Sequence, residues 1–274
     1  MEDTTAEYAA SELVPTVALR VIPRVTIGAK TDMGRVRENN EDKFELFLTE
    51  QESLLASRGL VFLVCDGMGG HAAGQVASEL AAKTFIDVYL NHPATDPTDA
   101  IAAAVKAANR YVLDVGRTVP GRKGMGTTMS GVILCQDVAY TVQVGDSRIY
   151  RLRDGQLDRL TVDHTFLEEN VRLGFMTADE AAVHPHRHWL LRAVGADDIV
   201  VPDIGSHEAK VGDTYFICSD GILNHVEDSV IHDFLRQKAP SDAAWGLVNQ
   251  ALLGGGSDNA TAMVVRLDAL ETPA

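Results

Sequence analysis

The sequence predicts an α+β fold in which antiparallel sheets pack into a sandwich and helices cover it. Two observations carry this expectation. Apolar runs of strand length follow one another closely between residues 129 and 160, joined by turn residues, as hairpin-connected strands are. Segments with helical spacing come in pairs, at 72–116 and 227–253, where a parallel βαβ sheet would alternate single helices with single strands. The supply of apolar residues, 46% of 274, is large enough for a substantial core.

In chain order, residues 1–22 are acidic and alanine-rich and read as a flexible lead-in to one domain over 23–269. The lead-in has no basic start and no apolar core, so no signal peptide is expected. Strands are predicted at 24–30 and 43–48, and at 60–65, where a continuous apolar run fits a strand buried on both faces. Val76, Leu80, Thr84 and Val88 recur at helical spacing over 72–90, and a second helix opens behind the capping residues Thr95 and Asp96. Strands follow at 129–135, 138–144, 148–153 and 156–160, with Asp154-Gly155 as the hairpin signal. Residues 164–188 are polar and helix-prone. Strands at 199–204 and 214–218, helices at 227–238 and 241–253, and a closing strand at 260–267 complete the chain.

The net charge of -15 disfavours nucleic acid and anionic membrane surfaces as partners. Surplus acid either keeps the protein soluble or converges on cations, and composition does not choose. Cys65, Cys135 and Cys218 lie inside apolar runs, which suits reduced, buried thiols in the cytoplasm. None is followed six residues on by arginine, so the loop of a covalent tyrosine phosphatase is missing. No stretch approaches the ~20 apolar residues of a membrane span, so no direct membrane insertion is expected.

The informative pattern is a set of carboxylates at strand ends. The run 60–65 delivers Asp66 into Gly67-Met68-Gly69-Gly70; the run 214–219 delivers Asp220 before Gly221; Gly254-Gly255-Gly256-Ser257 leads to Asp258 before the last strand. Asp146 sits between two strands, and Glu41-Asp42 opens another. Any one of these alone is an ordinary turn, because Asp bonds its own backbone and Gly tolerates positive φ. Together they place several ionisable oxygens beside an apolar core, which is costly unless they are paired or bind metal. Oxygen-rich sites of this kind suit hard cations such as Mg²⁺ and Mn²⁺.

The ordered set Thr31-Asp32-Met33-Gly34-Arg35-Val36-Arg37, Glu41-Asp42, Asp66-Gly67-Met68-Gly69-Gly70-His71, Gly124-Met125-Gly126-Thr127-Thr128, Val144-Gly145-Asp146-Ser147-Arg148, Ser219-Asp220-Gly221 and Ser257-Asp258-Asn259 resembles the bacterial branch of the metal-dependent (type 2C, or PPM) protein serine/threonine phosphatases. The resemblance runs from about residue 24 to 267. It implies a central antiparallel β-sandwich flanked by helices on both sides, with two Mn²⁺ or Mg²⁺ ions at one edge. By that likeness Asp66 bridges both ions, the Gly67 carbonyl binds the second, and Asp220 and Asp258 hold the first. Glu41 and Asp42 act through metal-bound water, Asp146 with Asp220 takes a third ion, and Arg37 grips the substrate phosphate. Residues 163–195 match the flap that borders the site. The implied reaction is hydrolysis of phosphoserine and phosphothreonine by direct attack of a metal-bridging water or hydroxide. The implied partners are phosphoproteins, among them autophosphorylated serine/threonine kinases, met by a cytoplasmic monomer.

Other readings fare less well. Gly67-Met68-Gly69-Gly70-His71-Ala72 fits the dinucleotide fingerprint, yet Asp66 would repel a pyrophosphate, and the acidic residue about 20 positions on, Asp87, falls within a helical pattern. Gly121–Gly126 has P-loop glycine spacing but Thr127 where the lysine belongs. A catalytically silent phosphoprotein-binding relative would be expected to lack a metal carboxylate or Arg37, and all are present. Met68 stands where eukaryotic members carry a histidine, so a proton donor is missing there; His71 is read as a capping or packing residue. His184, His186 and His188 read as flap residues rather than a zinc set, with Trp189 and Leu190 packing beside them.

Overall fold

The computed structural model describes residues 17–69, 73–182, 184–186 and 189–273. In chain order its elements are β1 (Ile22–Asp32), β2 (Asp42–Phe47), α1 (Glu52–Ser57), β3 (Leu60–Met68), α2 (Ala73–Asn91), α3 (Pro97–Thr118), β4 (Gly126–Thr127), β5 (Met129–Cys135), β6 (Val138–Val144), β7 (Arg148–Arg153) and β8 (Gln156–Arg159). After these come α4 (Phe166–Arg172), α5 (Ala178–Ala182), β9 (Asp203–Glu208), β10 (Thr214–Cys218), α6 (Asp220–Leu223), α7 (Asp228–Gln237), α8 (Pro240–Leu253) and β11 (Ala260–Glu271).

Two antiparallel sheets form the sandwich, one in the order β1-β11-β10-β7-β8 and the other β2-β3-β5-β6-β9, with β4 paired to β3. The strand sequences explain the layering through their period of two. In β3, Val61, Leu63 and Cys65 pack toward α2 and α3, while Leu60, Phe62 and Val64 face the opposing sheet. In β10, Phe216 and Cys218 pack toward α6–α8, and Tyr215 and Ile217 fill the sandwich interior. Strands covered on both faces therefore read as unbroken apolar runs. Each such buried side chain contributes roughly 1.5–3 kcal/mol, so three stacked cores hold the four layers α-β-β-α.

Local chemistry sets the ends. Asp96 caps α3 by accepting from the Thr98 N–H, with Pro97 in the first turn where its missing donor costs nothing. Asp154 and Gly155 both take positive φ, 51° and 79°, as a two-residue hairpin between β7 and β8 requires.

Several boundaries differ from the sequence expectation. The strand expected at 199–204 lies at Asp203–Glu208, and Ile199 and Val201 are 81% and 64% exposed. Their apolar pattern belongs to a surface loop. The polar stretch after His164 forms two short helices, and α1 and α6, too short to show a period, were not anticipated. Contacts with the domain begin before residue 22: Leu19 packs against the sandwich core, and the Arg20 N–H donates to Gln136 Oε1 at 2.9 Å. The three cysteines are buried and free. His71, Ala72 and His188 fall outside the described residues.

Candidate active site

Strand register brings the strand-end carboxylates to one edge of the sandwich. Asp42 at the start of β2 is the direct partner of Asp66 near the end of β3. On the other sheet Cys218, the last residue of β10, pairs with Arg148 of β7 and with Ala262 of β11. The residues just beyond those pairs are Asp220, Asp146 and Asp258, so all emerge together. Arg37, Glu41, Asp66, Gly67, Asp146, Asp220 and Asp258 line one open cavity of about 420 Å³. Asp42 is not on its wall; it is 6% exposed, behind Asp66, and its Oδ2 accepts from Ser219 Oγ at 2.7 Å.

Each wall is held by named bonds. The Asp66 N–H donates to Thr128 Oγ1 at 2.9 Å, and its carbonyl accepts from Thr127 Oγ1 and Thr128 N, both at 2.8 Å. The loop carrying Arg37 is held by Asn259, whose Nδ2 donates to Met33 O and Asn39 O at 2.8 and 2.9 Å while its Oδ1 accepts from the Glu41 N–H at 2.8 Å. The Asp146 turn hangs on Gln143, which donates to Gly145 O and Ser147 O at 2.9 and 2.6 Å. Asn259, Thr128, Ser219 and Gln143 are thus functional supports that strand and turn patterns did not single out. Asn259, Thr128 and Ser219 had a signal, since they stand inside the motifs beside Asp258, Thr127 and Asp220; Gln143 had none.

Burial pushes the Asp66 carboxyl well above the usual carboxylate range, and the neighbouring charges of Asp42, Asp220, Asp146 and Asp258 add to it. Burial raises Asp42 to about 7 against the opposing bonds from Thr261 and Ser219. Glu41 is raised by burial, and Arg37 and the Gly74 N–H at the start of α2 counter this. Arg37 is raised chiefly by its bond to Asp258, Nη2 to Oδ2 at 2.6 Å. The expected phosphate-binding cation and an expected metal ligand therefore pair with each other, half exposed at the cavity mouth.

These residues fit divalent cations. The site is a concentration of like charge at a buried edge, and Asp42 Oδ1 is a buried oxygen with no hydrogen-bond partner. The Gly67 backbone is packed so closely that a Cβ there would stand 2.1 Å from Gly74 O and 2.6 Å from Glu41 O. Hard oxygen donors, carboxylate and carbonyl, are the set that Mn²⁺ and Mg²⁺ take. Among the described residues no three His, Cys, Asp or Glu side chains are already gathered into a closed ligand set; the carboxylates share a wall, with Asp258 turned to Arg37.

The remaining sequence candidates separate from this cavity. His186 stacks on Trp189 at 4.0 Å between ring centroids, with His184 tilted against it. Trp189, expected to pack, is 59% exposed, whereas Leu190 lines the cavity. Burial raises the thiols of Cys65 and Cys218, which lie within the strands, so neither offers a thiolate.

The family model described as "Protein phosphatase 2C" matches residues 35–250. The chain is 38% identical over 245 residues to the serine/threonine protein phosphatase PstP of Mycobacterium tuberculosis, across 88% of this chain and 45% of that protein; it therefore spans less than half that relative's length. It is 32% identical over 244 residues to the serine/threonine phosphatase stp of Listeria monocytogenes, across 87% of this chain and 94% of that one. The crystal structure of the catalytic domain of PstP in complex with two manganese ions superposes with a TM-score of 0.76 at 34% identity, covering 89% of this chain and 99% of that domain.

Proposed function

The chain belongs to the protein phosphatase 2C family, and from that premise we propose that it is a metal-dependent protein serine/threonine phosphatase acting at the cavity lined by Arg37 and the four aspartates. The observation that carries this reading is the convergence of Asp66, Asp146, Asp220 and Asp258 with Arg37 on one open cavity. Asp66, the Gly67 carbonyl, Asp220 and Asp258 would hold two divalent ions, with Glu41 on the same wall and Asp42 behind it acting through bound water, and Asp146 toward a third. The manganese bound by the related PstP domain supports that assignment. Bound there, such ions lower the pKa of a coordinated water and neutralise phosphoryl oxygens.

The chain's own side chains do the rest. Arg37 leaves Asp258 to take the phosphate, since a guanidinium offers phosphate oxygens a two-pronged donor set. The mouth is open, as a phosphorylated side chain on a protein requires. The buried cysteines offer no thiolate, and a water held by such ions would be the nucleophile, with no phosphoenzyme needed. Met68 beside Gly67 carries no proton, so the leaving oxygen is protonated by solvent. The substrates are phosphoserine and phosphothreonine proteins, and autophosphorylated serine/threonine kinases fit that class. Among the described residues no helix is long and apolar enough to cross a membrane; the acidic charge and buried thiols support a monomer acting in the cytoplasm.

Hydrolysis of a phosphothreonine peptide, after chelation and again with Mn²⁺, tests the reading alongside Asp66→Ala and Arg37→Ala. Turnover restored by Mn²⁺ and abolished in Asp66→Ala supports it. Phosphopeptide binding without turnover in the Mn²⁺-loaded chain would replace it with a silent phosphoprotein-binding role.

A further inference from the structure

The outer face of α8 carries side chains that the fold does not account for. Ala244, Leu247 and Ala251 face inward, into the core shared with β10 and β11. Asp242, Trp245, Gly246, Asn249 and Leu253 recur at the spacing of the opposite side of the helix. Polar residues are expected on such a side, yet Trp245 is 62% exposed and Leu253 74%. Together with Phe234 of α7, Lys238 just beyond it and Arg35, this face lines one groove of about 660 Å³. A Cβ on Gly246 would stand 2.2 Å from the Phe234 ring, so the ring lies directly against the α8 backbone.

The groove is continuous with the catalytic cavity through one loop. Arg37 lines the cavity and Arg35 lines the groove. The Arg35 N–H donates to Gly256 O at 2.8 Å, and Ser257, the next residue, is on the cavity wall. A Cβ on Gly256 would stand 3.1 Å from Arg35 Cγ and 3.2 Å from Leu252 Cδ2, so the Arg35 stem lies over the seam between the end of α8 and that wall. The charge of the groove also differs from that of the chain. Arg35 and Lys238 face a single carboxylate, Asp242, in a protein of net charge -15. Among the described residues neither cation makes an ion pair, whereas Arg37 is bonded to Asp258.

We propose that the groove between α7, α8 and Arg35 is a docking site for the substrate phosphoprotein, taking a stretch beside the phosphorylated residue that is acidic and carries one apolar side chain. The proposal rests on the reading of the cavity as a phosphatase site. Reach, charge and surface chemistry select this occupant. The Cα atoms of Arg35 and Arg37 are at most about 7 Å apart, so an extended substrate with its phosphate on Arg37 meets the groove within a few residues. Its carboxylates then find two cations that no residue of the chain neutralises. Its apolar side chain covers Trp245 and Leu253, and tryptophan and arginine are the residues that most often carry binding energy at an interface. Two chains of net charge -15 repel one another, which disfavours a second copy as the occupant.

Hydrolysis kinetics of the Mn²⁺-loaded chain on three kinds of probe test this. They are a phosphothreonine peptide with glycine and serine flanks, the same peptide extended on one side or the other by glutamates and a leucine, and an aryl phosphate too small to leave the cavity. In the wild type, kcat/KM for one of the extended peptides exceeds that of the short one by at least about tenfold. Trp245→Ala and Lys238→Glu, both on the surface, each cut that preference by at least about fivefold and leave the short peptide and the aryl phosphate unchanged. Equal kcat/KM for short and extended peptides in the wild type, or a full preference retained in either variant, overturns the proposal. Self-association in sedimentation that Trp245→Ala abolishes, without any peptide preference, gives the groove to a second copy and overturns it too. Binding of a fluorescent, unphosphorylated extended peptide in chelator needs no turnover and separates the two ideas. An active wild type with neither preference nor binding sinks the docking groove alone. An inactive wild type that binds the extended peptide, and loses it in Trp245→Ala and Lys238→Glu, upholds acidic-peptide docking and sinks the phosphatase reading.

Discussion

Asp42 and Asp66 are direct cross-strand partners in the β2–β3 ladder, two carboxylates facing one another at the edge of the sandwich. Like charges in that relation destabilise a sheet, and burial compounds the cost. Burial and mutual repulsion raise both carboxyls, Asp42 to about 7 and Asp66 well above the ordinary value. A fold that keeps such a pair must neutralise it with protons or with cations. The edge of the sandwich is therefore the place where metal binding and folding stability are linked.

Stability of the metal-stripped protein should fall as pH rises. Asp42 titrates near 3.8 when exposed and at about 7 in the fold, so its neutral form is the one the fold favours. That contribution is complete below 3.8 and is lost as pH climbs through about 7, a change of at most about 4 kcal/mol. Thermal melts in chelator should show a lower midpoint at pH 8 than at pH 5. Asp42→Asn should flatten that slope, and added Mn²⁺ should offset it in the wild type. A melting temperature that rises with pH in both proteins would contradict the argument.

Arg37 should report on substrate rather than on metal. Its Nη2 is bonded to Asp258 at 2.6 Å, so Arg37→Ala releases a carboxylate while removing a phosphate donor. Steady-state kinetics on a phosphothreonine peptide should show kcat/KM lowered by roughly 10–100-fold, about 1.4–2.7 kcal/mol, carried mainly by KM. Arg37→Lys should fall between, keeping the charge but not the fork. Mn²⁺ binding by calorimetry should be no weaker than in the wild type. An unchanged KM would remove Arg37 from the phosphate site.

The cavity wall was legible because its carboxylates end apolar runs, and a carboxylate at the end of a buried strand is conspicuous. Asp66 and Asp220 stand out that way, and register then carries them to a common edge. Thr128 and Ser219 stand inside the motifs, but what they hold was not legible, since a buried polar residue has no period and their partners lie far along the chain. Thr128 reaches Asp66 across 62 positions, and Ser219 reaches Asp42 across 177. The displaced strand β9 failed for the opposite reason. Ile199 and Val201 carry an apolar signal but sit on the surface, and the true edge strand Asp203–Glu208 is mostly polar.

Asn259 should matter to both stability and affinity. Its amide makes three bonds that fasten the loop from Met33 to Glu41. At about 1 kcal/mol net each, Asn259→Ala should cost roughly 3 kcal/mol, or about 6–12 °C in melting temperature. The loosened loop carries Arg37, so KM should rise as well. Asn259→Asp should be at least as harmful, because it sets a carboxylate oxygen against the Met33 and Asn39 carbonyls. A variant that melts normally with a raised KM would show that the bonds position the loop without holding the fold.

Gly221 offers the sharpest steric test of how tightly the metal edge is assembled. It follows Asp220 at the start of α6, and a Cβ there would stand 1.9 Å from Asn259 O. That distance is backbone against methyl, so no side-chain rotation relieves it. Either α6 moves, taking Asp220 with it, or the Asp258-Asn259 segment moves, taking a second carboxylate and the anchor of the Arg37 loop. Overpacking of this kind costs about 1–3 kcal/mol, occasionally more, so Gly221→Ala should still fold under permissive conditions. Mn²⁺ affinity should nonetheless fall at least tenfold, since one methyl displaces at least one of the two carboxylates proposed to hold the same ions; a tenfold change is only about 1.4 kcal/mol. Calorimetric titration of Mn²⁺ into the folded variant decides the matter. Wild-type affinity would mean that Asp220 and Asp258 can separate without loss, and the shared cavity wall would then not be a shared ligand set.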